Sequence, residues 1–424
     1  MWENFRCRVN LALILALITT ASYADQSIIS LNQAIVKTIQ QNPELVSFGY
    51  QIQVQEGLLQ QATLSPNPEL KIEFENFLGT GDFNGVDALE STLSIGWFFE
   101  RAARQQRVNV AQASVSYFNI QSKIAQMDAA AETARRFLEC LSNQERLQLA
   151  NQSVELAEKT IVAIQKRVNT SKAPKAELAR AKADLAVKRL ALENIQHEIE
   201  VAYRKLAAQW GEDTPKFDHV SGSLYALPKT EPFKDLKGRV QQNPAFEKLL
   251  SQRRVNEAEL RLAEAMNKPQ WQVSTGIRRF EEQNDQALVI DFTVPLNFKN
   301  RNQGKIAATN AKIAQVDADT KATSIRLSTQ LFELYEELQH SIHQTIAYKD
   351  VIIPAFAHAA QDSQYAYERG RYSYLEWQAV QSNLLNARKE YLNALIHAHL
   401  YVIEIERITG VQVVDTSNLS RNDS

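Results

Sequence analysis

The feature that most constrains this chain is an internal duplication with an offset close to 200 residues. Gln41-Asn42-Pro43-Glu44 returns as Gln242-Asn243-Pro244-Ala245. After each comes an amphipathic stretch, a proline (Pro66, Pro269), an alternating segment, a basic turn and a long helical run. The runs end at Trp210-Gly211 and Thr409-Gly410. Repetition at a fixed period sets architecture before any local feature does. A unit this large excludes a solenoid of short repeats.

The pattern divides the chain into residues 1–24, a first repeat over 25–215, a linker over 216–230, a second repeat over 231–411 and a tail over 412–424. Arg6 and Arg8 precede the short apolar run Leu11 to Ile18 and the small-x-small site Ser22-Tyr23-Ala24, which reads as a secretory signal peptide. The run is short for a membrane anchor. Cys7 precedes it, so cleavage leaves Cys140 alone and no intramolecular disulfide. Net charge is −2, which argues against a nucleic-acid partner.

With 13 Gly and 11 Pro in 424 residues, the composition favours long helices. Leu147, Ala150, Val154, Ala157, Ile161, Ile164 and Val168 lie three and four apart, as do Trp377, Val380, Leu384, Ala387, Tyr391 and Ala394. Such spacing predicts coiled-coil seams. The runs break at 169–174 and 369–373, which predicts the tips of two antiparallel hairpins. A helix from about Ala102 to Val168 would be on the order of 100 Å long.

Four segments alternate with period two, at about 68–77, 89–99, 270–280 and 286–297. Ile72, Phe74, Ile95, Ile290 and Phe292 fall on their apolar faces, opposite residues such as Lys71, Glu73 and Ser94. One reading is a half-buried sheet. The other is a set of tilted membrane strands with those five residues facing lipid. Four strands cannot close a barrel, and open edges are not tolerated in hydrocarbon. Three copies would supply twelve strands.

The residues resemble the TolC-like outer-membrane factors over almost all of the chain. The resemblance rests on the tandem repeat, the two Asn-Pro pairs, Val294-Pro295-Leu296-Asn297-Phe298, and Arg369-Gly370-Arg371-Tyr372-Ser373-Tyr374-Leu375-Glu376. Ile72-Glu73-Phe74-Glu75-Asn76-Phe77 with Gly79-Thr80-Gly81, and Glu100-Arg101-Ala102-Ala103-Arg104, are most similar to its cobalt–zinc–cadmium (CzcC-like) branch. Phe99-Glu100-Arg101-Ala102 departs from that branch, which usually carries a Gly-Gly-Lys-Arg-like run there.

The resemblance implies a mainly α fold with a small β part. Long antiparallel hairpins would form a periplasmic tunnel, and four strands per chain would enter a trimeric 12-stranded barrel in the outer membrane. It implies a homotrimer, contact with outer-membrane lipid, a periplasmic adaptor, and an inner-membrane proton-driven pump of the resistance-nodulation-division type. Thr170, Ser171, Gly370, Arg371, Tyr372 and Ser373 would be adaptor-contact positions at the tips. Glu376 would ring the pore entrance with Glu177 behind it, the alternative being solvated coiled-coil faces. The implied function is a passive efflux duct for divalent heavy-metal cations or small toxic compounds. A duct for type I protein secretion and a poreless periplasmic scaffold are the alternatives.

No catalytic constellation, cofactor motif or metal set emerges from the sequence. His340 and His343 lie three apart on a helix without carboxylate or Cys partners at binding spacing. His397 and His399, two apart, face different sides of one.

Overall fold

The computed structural model describes residues 28–295 and 299–410. The expected signal peptide at 1–24, Leu296 to Phe298 and the expected tail at 412–424 lie outside the described residues. In the first half, β1 (Ile28–Ser30), α1 (Leu31–Gln41) and α2 (Pro43–Thr63) lead to β2 (Glu69–Glu75) and β3 (Glu90–Phe99). The hairpin α3 (Arg101–Asn169) and α4 (Lys175–Ala207) follows. In the second half, β4 (His219–Ser221), α5 (Phe233–Arg239) and α6 (Pro244–Ala265) lead to β5 (Trp271–Phe280) and β6 (Asp285–Thr293). They are followed by α7 (Gln303–Ala347), α8 (Ile353–Glu368) and α9 (Tyr374–Thr409).

The repeated Asn-Pro pair works the same way twice. Proline suits the first helical position, where its missing N–H costs nothing. Asn42 Oδ1 accepts from the Glu44 N–H at 2.8 Å and caps α2, while its Nδ2 donates to the Gln209 carbonyl at 2.7 Å. Asn243 Oδ1 accepts from Ala245 N–H at 2.8 Å and Nδ2 donates to Ile408 O at 2.6 Å. Each asparagine thus ties the start of a repeat to its end. The chain leaves each end through a left-handed glycine, Gly211 (φ 81°) and Gly410 (φ 66°). A side chain on Gly211 would press on Pro43 Cγ at 3.2 Å.

Three apolar clusters hold the helices. One packs Phe137, Leu138, Leu206, Trp210 and Leu395 with Ile29, Phe217, Val220 and Leu224. A second packs Leu236, Val240, Leu331, Leu338, Ile405 and Ile408. The third, at the hairpin tips, contains Ile164, Ala181, Tyr367, Tyr374 and Trp377.

Three expectations need correction. The segment expected as a linker at 216–230 is built into the fold: β4 pairs in parallel with β1, and Phe217, Val220 and Leu224 are buried. The second long run is interrupted before its tip by a π-helical turn at Tyr348–Ile352, just ahead of Pro354. Proline lacks an N–H and displaces the preceding turn, so the extra residue is accommodated there. The strands also end sooner than alternation suggests. Asn76 takes a left-handed φ of 60°, which stops β2 at Glu75. Pro295, with no N–H for a ladder, follows the end of β6 at Thr293.

Candidate functional site

The four longer strands form one antiparallel sheet in the order β2-β3-β5-β6. Its register pairs Leu70 with Ile95, Ile72 with Leu93, Ile95 with Thr275 and Thr275 with Ile290, and sets Phe292 against Val273. Because side chains alternate, Ile72, Phe74, Ile95, Ile290 and Phe292 share one face with Leu93, Trp97 and Leu288. Lys71, Glu73, Thr92, Ser94, Ser274, Arg278 and Asp291 share the other.

The burial of these faces is inverted relative to a water-soluble sheet. Ile72 and Phe74 are each 58% exposed and Ile290 67%, while Thr92 and Ser94 on the polar face are 3% and 4% exposed. Along β3 the polar face is covered by long side chains from its neighbours, whereas Lys71 and Glu75 on β2 and Asp291 on β6 are exposed. Arg278 reaches across three strands, donating to Thr92 Oγ1 at 2.9 Å and Glu90 Oε2 at 3.0 Å and pairing with Glu75 at 3.0 Å. Lys71 pairs with Glu73. Gly276 lets β5 approach β3: a Cβ there would sit 2.4 Å from the Leu93 carbonyl. The exposed apolar surface of the sheet is the candidate membrane surface. No described helix is long and apolar enough to cross a membrane.

At the other end, the two hairpin tips share one closure. Lys172 N–H reaches Arg167 O at 2.8 Å and Arg371 N–H reaches Ala366 O at 2.9 Å, with Ser171 (φ 57°) and Gly370 (φ 76°) in the left-handed position. This is the ordinary way a helix satisfies its last carbonyls. Thr170, Ser171, Gly370, Arg371, Tyr372 and Ser373 are all exposed.

The structure brings Glu177 and the second tip together but does not pair Glu177 with Glu376. Tyr367 donates its hydroxyl to Glu177 Oε2 at 2.9 Å, and burial together with that carboxylate pushes the phenol pKa up. The Tyr367 ring stacks on Trp377 with centroids 4.9 Å apart and carries the Arg167 guanidinium 4.5 Å from its own centroid. Arg167 Nε and Nη1 and Trp377 Nε1 are buried with no hydrogen-bond partner. Glu376 is exposed and closes a capping box: its Oε2 accepts from Ser373 N–H at 2.7 Å and Ser373 Oγ at 2.8 Å, and Glu376 N–H returns a bond to that hydroxyl. These bonds hold its pKa below the ordinary carboxylate range.

Sequence reasoning found Trp377 only as a seam position and missed Tyr367, which stacks on it, and Arg167, which lies over Tyr367. The available signal was the aromatic density around the second tip, with Tyr365, Tyr367, Tyr372, Tyr374 and Trp377 in 13 residues. Among the described residues no three His, Cys, Asp or Glu side chains converge as a metal set. His399 is buried with Nε2 2.9 Å from Leu224 O, and His397 lies edge-on to Tyr401.

No protein-family model matches the chain. Two curated proteins of Cupriavidus metallidurans are similar in sequence. The cobalt-zinc-cadmium resistance protein CzcC is 26% identical over 355 residues, 84% of either chain. The nickel and cobalt resistance protein CnrC is 25% identical over 274 residues, 64% of either chain. Among solved structures, CusC superposes with a TM-score of 0.74 at 14% identity, covering 90% of this chain and 92% of its own. VceC of Vibrio cholerae superposes at 0.71 with 16% identity, over 90% and 96%. These likenesses establish the fold.

Long paired hairpins, the four-stranded sheet and the superpositions together define a fold class, that of the TolC-like channel proteins. Within that class its sequence resembles that of CzcC.

Proposed function

We propose that three copies of this chain close a 12-stranded barrel in the outer membrane above a helical tunnel. The assembly is a passive exit duct for divalent heavy-metal cations. A proton-driven inner-membrane pump of the resistance-nodulation-division type and a periplasmic adaptor deliver the cargo to the hairpin tips.

The observation that carries this reading is the sheet: apolar face exposed, Thr92 and Ser94 of the polar face buried, and, among the described residues, no strand on the outer side of β2 or β6. Hydrocarbon accepts such a sheet only when its edges are paired. One chain has too few strands to close on itself, and a closed bacterial barrel needs at least about eight. The metal reading is supported by the names of CzcC and CnrC, both metal-resistance proteins. They favour it over the export of polypeptides.

In this reading Ile72, Phe74, Ile95, Ile290 and Phe292 face lipid, and the exposed tip residues Thr170, Ser171, Gly370, Arg371, Tyr372 and Ser373 meet the adaptor. Glu376 contributes to an acidic ring at the entrance, with Glu177 behind it. Carboxylates converging at a constriction attract cations and disfavour anions.

The test is growth of the source cell, with the gene deleted, on graded cobalt, zinc, cadmium and nickel. Sensitivity to one or more of these cations, reversed by the intact gene, is expected. Unchanged tolerance to all four, with sensitivity to uncharged toxic compounds instead, contradicts the metal cargo.

A further inference from the structure

The two ends of the four-stranded sheet carry opposite charge. At the end away from the long helices, residues 76–90 and 280–286 hold six carboxylates and no lysine or arginine. Two of the six, Glu90 and Glu281, are met by Arg278 and Arg279 of β5. At the end where chain passes into helix, residues 64–69, 97–105, 266–272 and 293–305 hold six cations against Glu69 and Glu100. The cations are Arg101, Arg104, Lys268, Lys299, Arg301 and Lys305. Glu100 is taken by Arg107, and Glu69 lies on the polar face of β2. Arg104 donates to Ser65 Oγ at 2.6 Å. The other five are exposed, and among the described residues no carboxylate pairs with them.

The helices gain nothing from this placement. The dipole of a helix favours acids at its N-terminus and disfavours cations there. α2, α4, α6 and α9 each carry a glutamate in the first turn. α3 and α7, the two long helices that follow strands of the sheet, carry none, and neither has a side-chain cap. Their starts hold Arg101, Arg104 and Lys305 instead.

The same level of the sheet is aromatic on its apolar face. Phe99 pairs with Trp271, and Val273 lies between Trp97 and Phe292. All four aromatic side chains are exposed, and the Trp271 and Phe292 rings meet edge to face at 5.6 Å. Aromatic residues on membrane strands mark the boundary between hydrocarbon and water. A lysine or arginine just beyond that boundary lays its stem on apolar surface and its charge among the headgroups.

We propose that Arg101, Lys268, Lys299, Arg301 and Lys305 form a basic band that takes the phosphates of anionic phospholipid headgroups, in the leaflet on the helix side of the sheet. Charge complementarity and continuity set the occupant: the band borders the candidate membrane surface directly below its aromatic rim. Anionic headgroups also supply the negative charge that the starts of α3 and α7 lack. The inference rests on the membrane reading of the sheet and adds which lipid its helix-side rim holds.

The test uses the full chain in phosphatidylcholine vesicles containing a minor fraction of phosphatidylglycerol, with one lipid or the other brominated. Bromine in the acyl chains quenches tryptophans that touch lipid. Trp97 and Trp271 are exposed on the apolar face, whereas Trp210 and Trp377 are each 2% exposed and are spared. At equal mole fraction, brominated phosphatidylglycerol should quench more strongly than brominated phosphatidylcholine. The expected enrichment is roughly fivefold at low salt, falling as salt screens the band. Arg101→Gln, Lys268→Gln, Lys299→Gln and Arg301→Gln together should remove the preference and leave quenching by phosphatidylcholine unchanged. All four positions are exposed, so the fold should tolerate the changes. The lipid and salt comparisons on the intact chain need no variant. Equal quenching by both lipids overturns the headgroup band and leaves the membrane reading standing. A preference that survives the fourfold variant, with altered ion selectivity in planar bilayers, places these cations on the pore side and also overturns it. Absence of quenching by either lipid overturns both the band and the membrane reading.

Discussion

The Tyr367 hydroxyl donates to Glu177 across 2.9 Å, and with it the end of one hairpin's first strand of coil holds the start of the other hairpin's second. The two residues are 190 positions apart. The bond sits where Tyr367 also stacks on Trp377 and shields Arg167. Tyr367→Phe keeps the stack and removes the bond, leaving Glu177 without that donor. A hydrogen bond to a charged group contributes roughly 1.5–3 kcal/mol, and Tyr367 is nearly fully buried at 1% exposure. Faster hydrogen exchange is expected in α4 and α8 next to the tips, with exchange around Phe137 and Leu206 unchanged. Unchanged exchange at the tips would show that the bond carries no load between the hairpins.

The capping box at the second tip gives a pH dependence of known sign. Glu376 has its pKa lowered first by the Ser373 backbone N–H and then by the Ser373 hydroxyl. A carboxyl with a depressed folded pKa stabilises the fold above its unfolded pKa. That contribution is lost as pH falls through the folded value. Protection of the first α9 amides is therefore expected to hold at neutral pH and to fall below the ordinary 4.5 of a glutamate. Glu376→Gln should remove this acid step, as read by amide exchange against pH. In planar bilayers Glu376→Ala should also lower cation preference. An unchanged preference would take Glu376 out of the entrance ring.

Asn243 supports two elements at once. Asn243→Ala removes the cap of α6 and the donor to the Ile408 carbonyl. Losing a cap costs about 1 kcal/mol and stranding a buried acceptor roughly 1–3 kcal/mol. A clear loss of stability in chemical denaturation is expected. Asn243→Asp retains the capping oxygen and should recover part of it.

Ser171 stands in the left-handed position that Gly370 fills at the other tip. A residue with a Cβ pays roughly 1–2 kcal/mol there. Ser171→Gly should relieve that strain, offset in part by glycine's greater freedom in the unfolded chain. Slower amide exchange in the last turn of α3 would report it.

Much of this was legible from the sequence, for reasons that differ by element. Period-two alternation exposed the four long strands because their two faces meet different surroundings. Heptad spacing exposed the hairpins, and the short breaks marked their tips. The strand-feeding Asn-Pro pairs and the terminal glycines were visible as repeats. Their meeting was not, since a bond from Asn243 to Ile408 spans 165 residues and leaves no local pattern. β1 and β4 have three residues each, too few for any period to show. The Tyr367–Glu177 bond joins helices from opposite halves, so the seam pattern of either half is silent about it.

The polarity of the sheet can be read by substitution. Ile72→Arg or Ile290→Arg places a charge in hydrocarbon at a cost of roughly 2–4 kcal/mol. Glu73→Arg, on the face shared with Lys71 and Ser94, should be milder. Folding yield in lipid vesicles separates the two, and equal damage on both faces would mean that neither faces lipid.

The most direct measurement is accessibility along one strand in the protein reconstituted in a bilayer. Spin labels are placed in turn at residues 70 to 75 and 288 to 293, and relaxation by oxygen is compared with relaxation by a polar nickel complex. Labels at Leu70, Ile72, Phe74, Leu288, Ile290 and Phe292 should respond to oxygen. Labels at Lys71, Glu73, Glu75, Val289, Asp291 and Thr293 should respond to the nickel complex, with strict alternation between neighbours. Equal response to the polar complex on both faces would contradict a membrane-spanning sheet with a water-filled lumen.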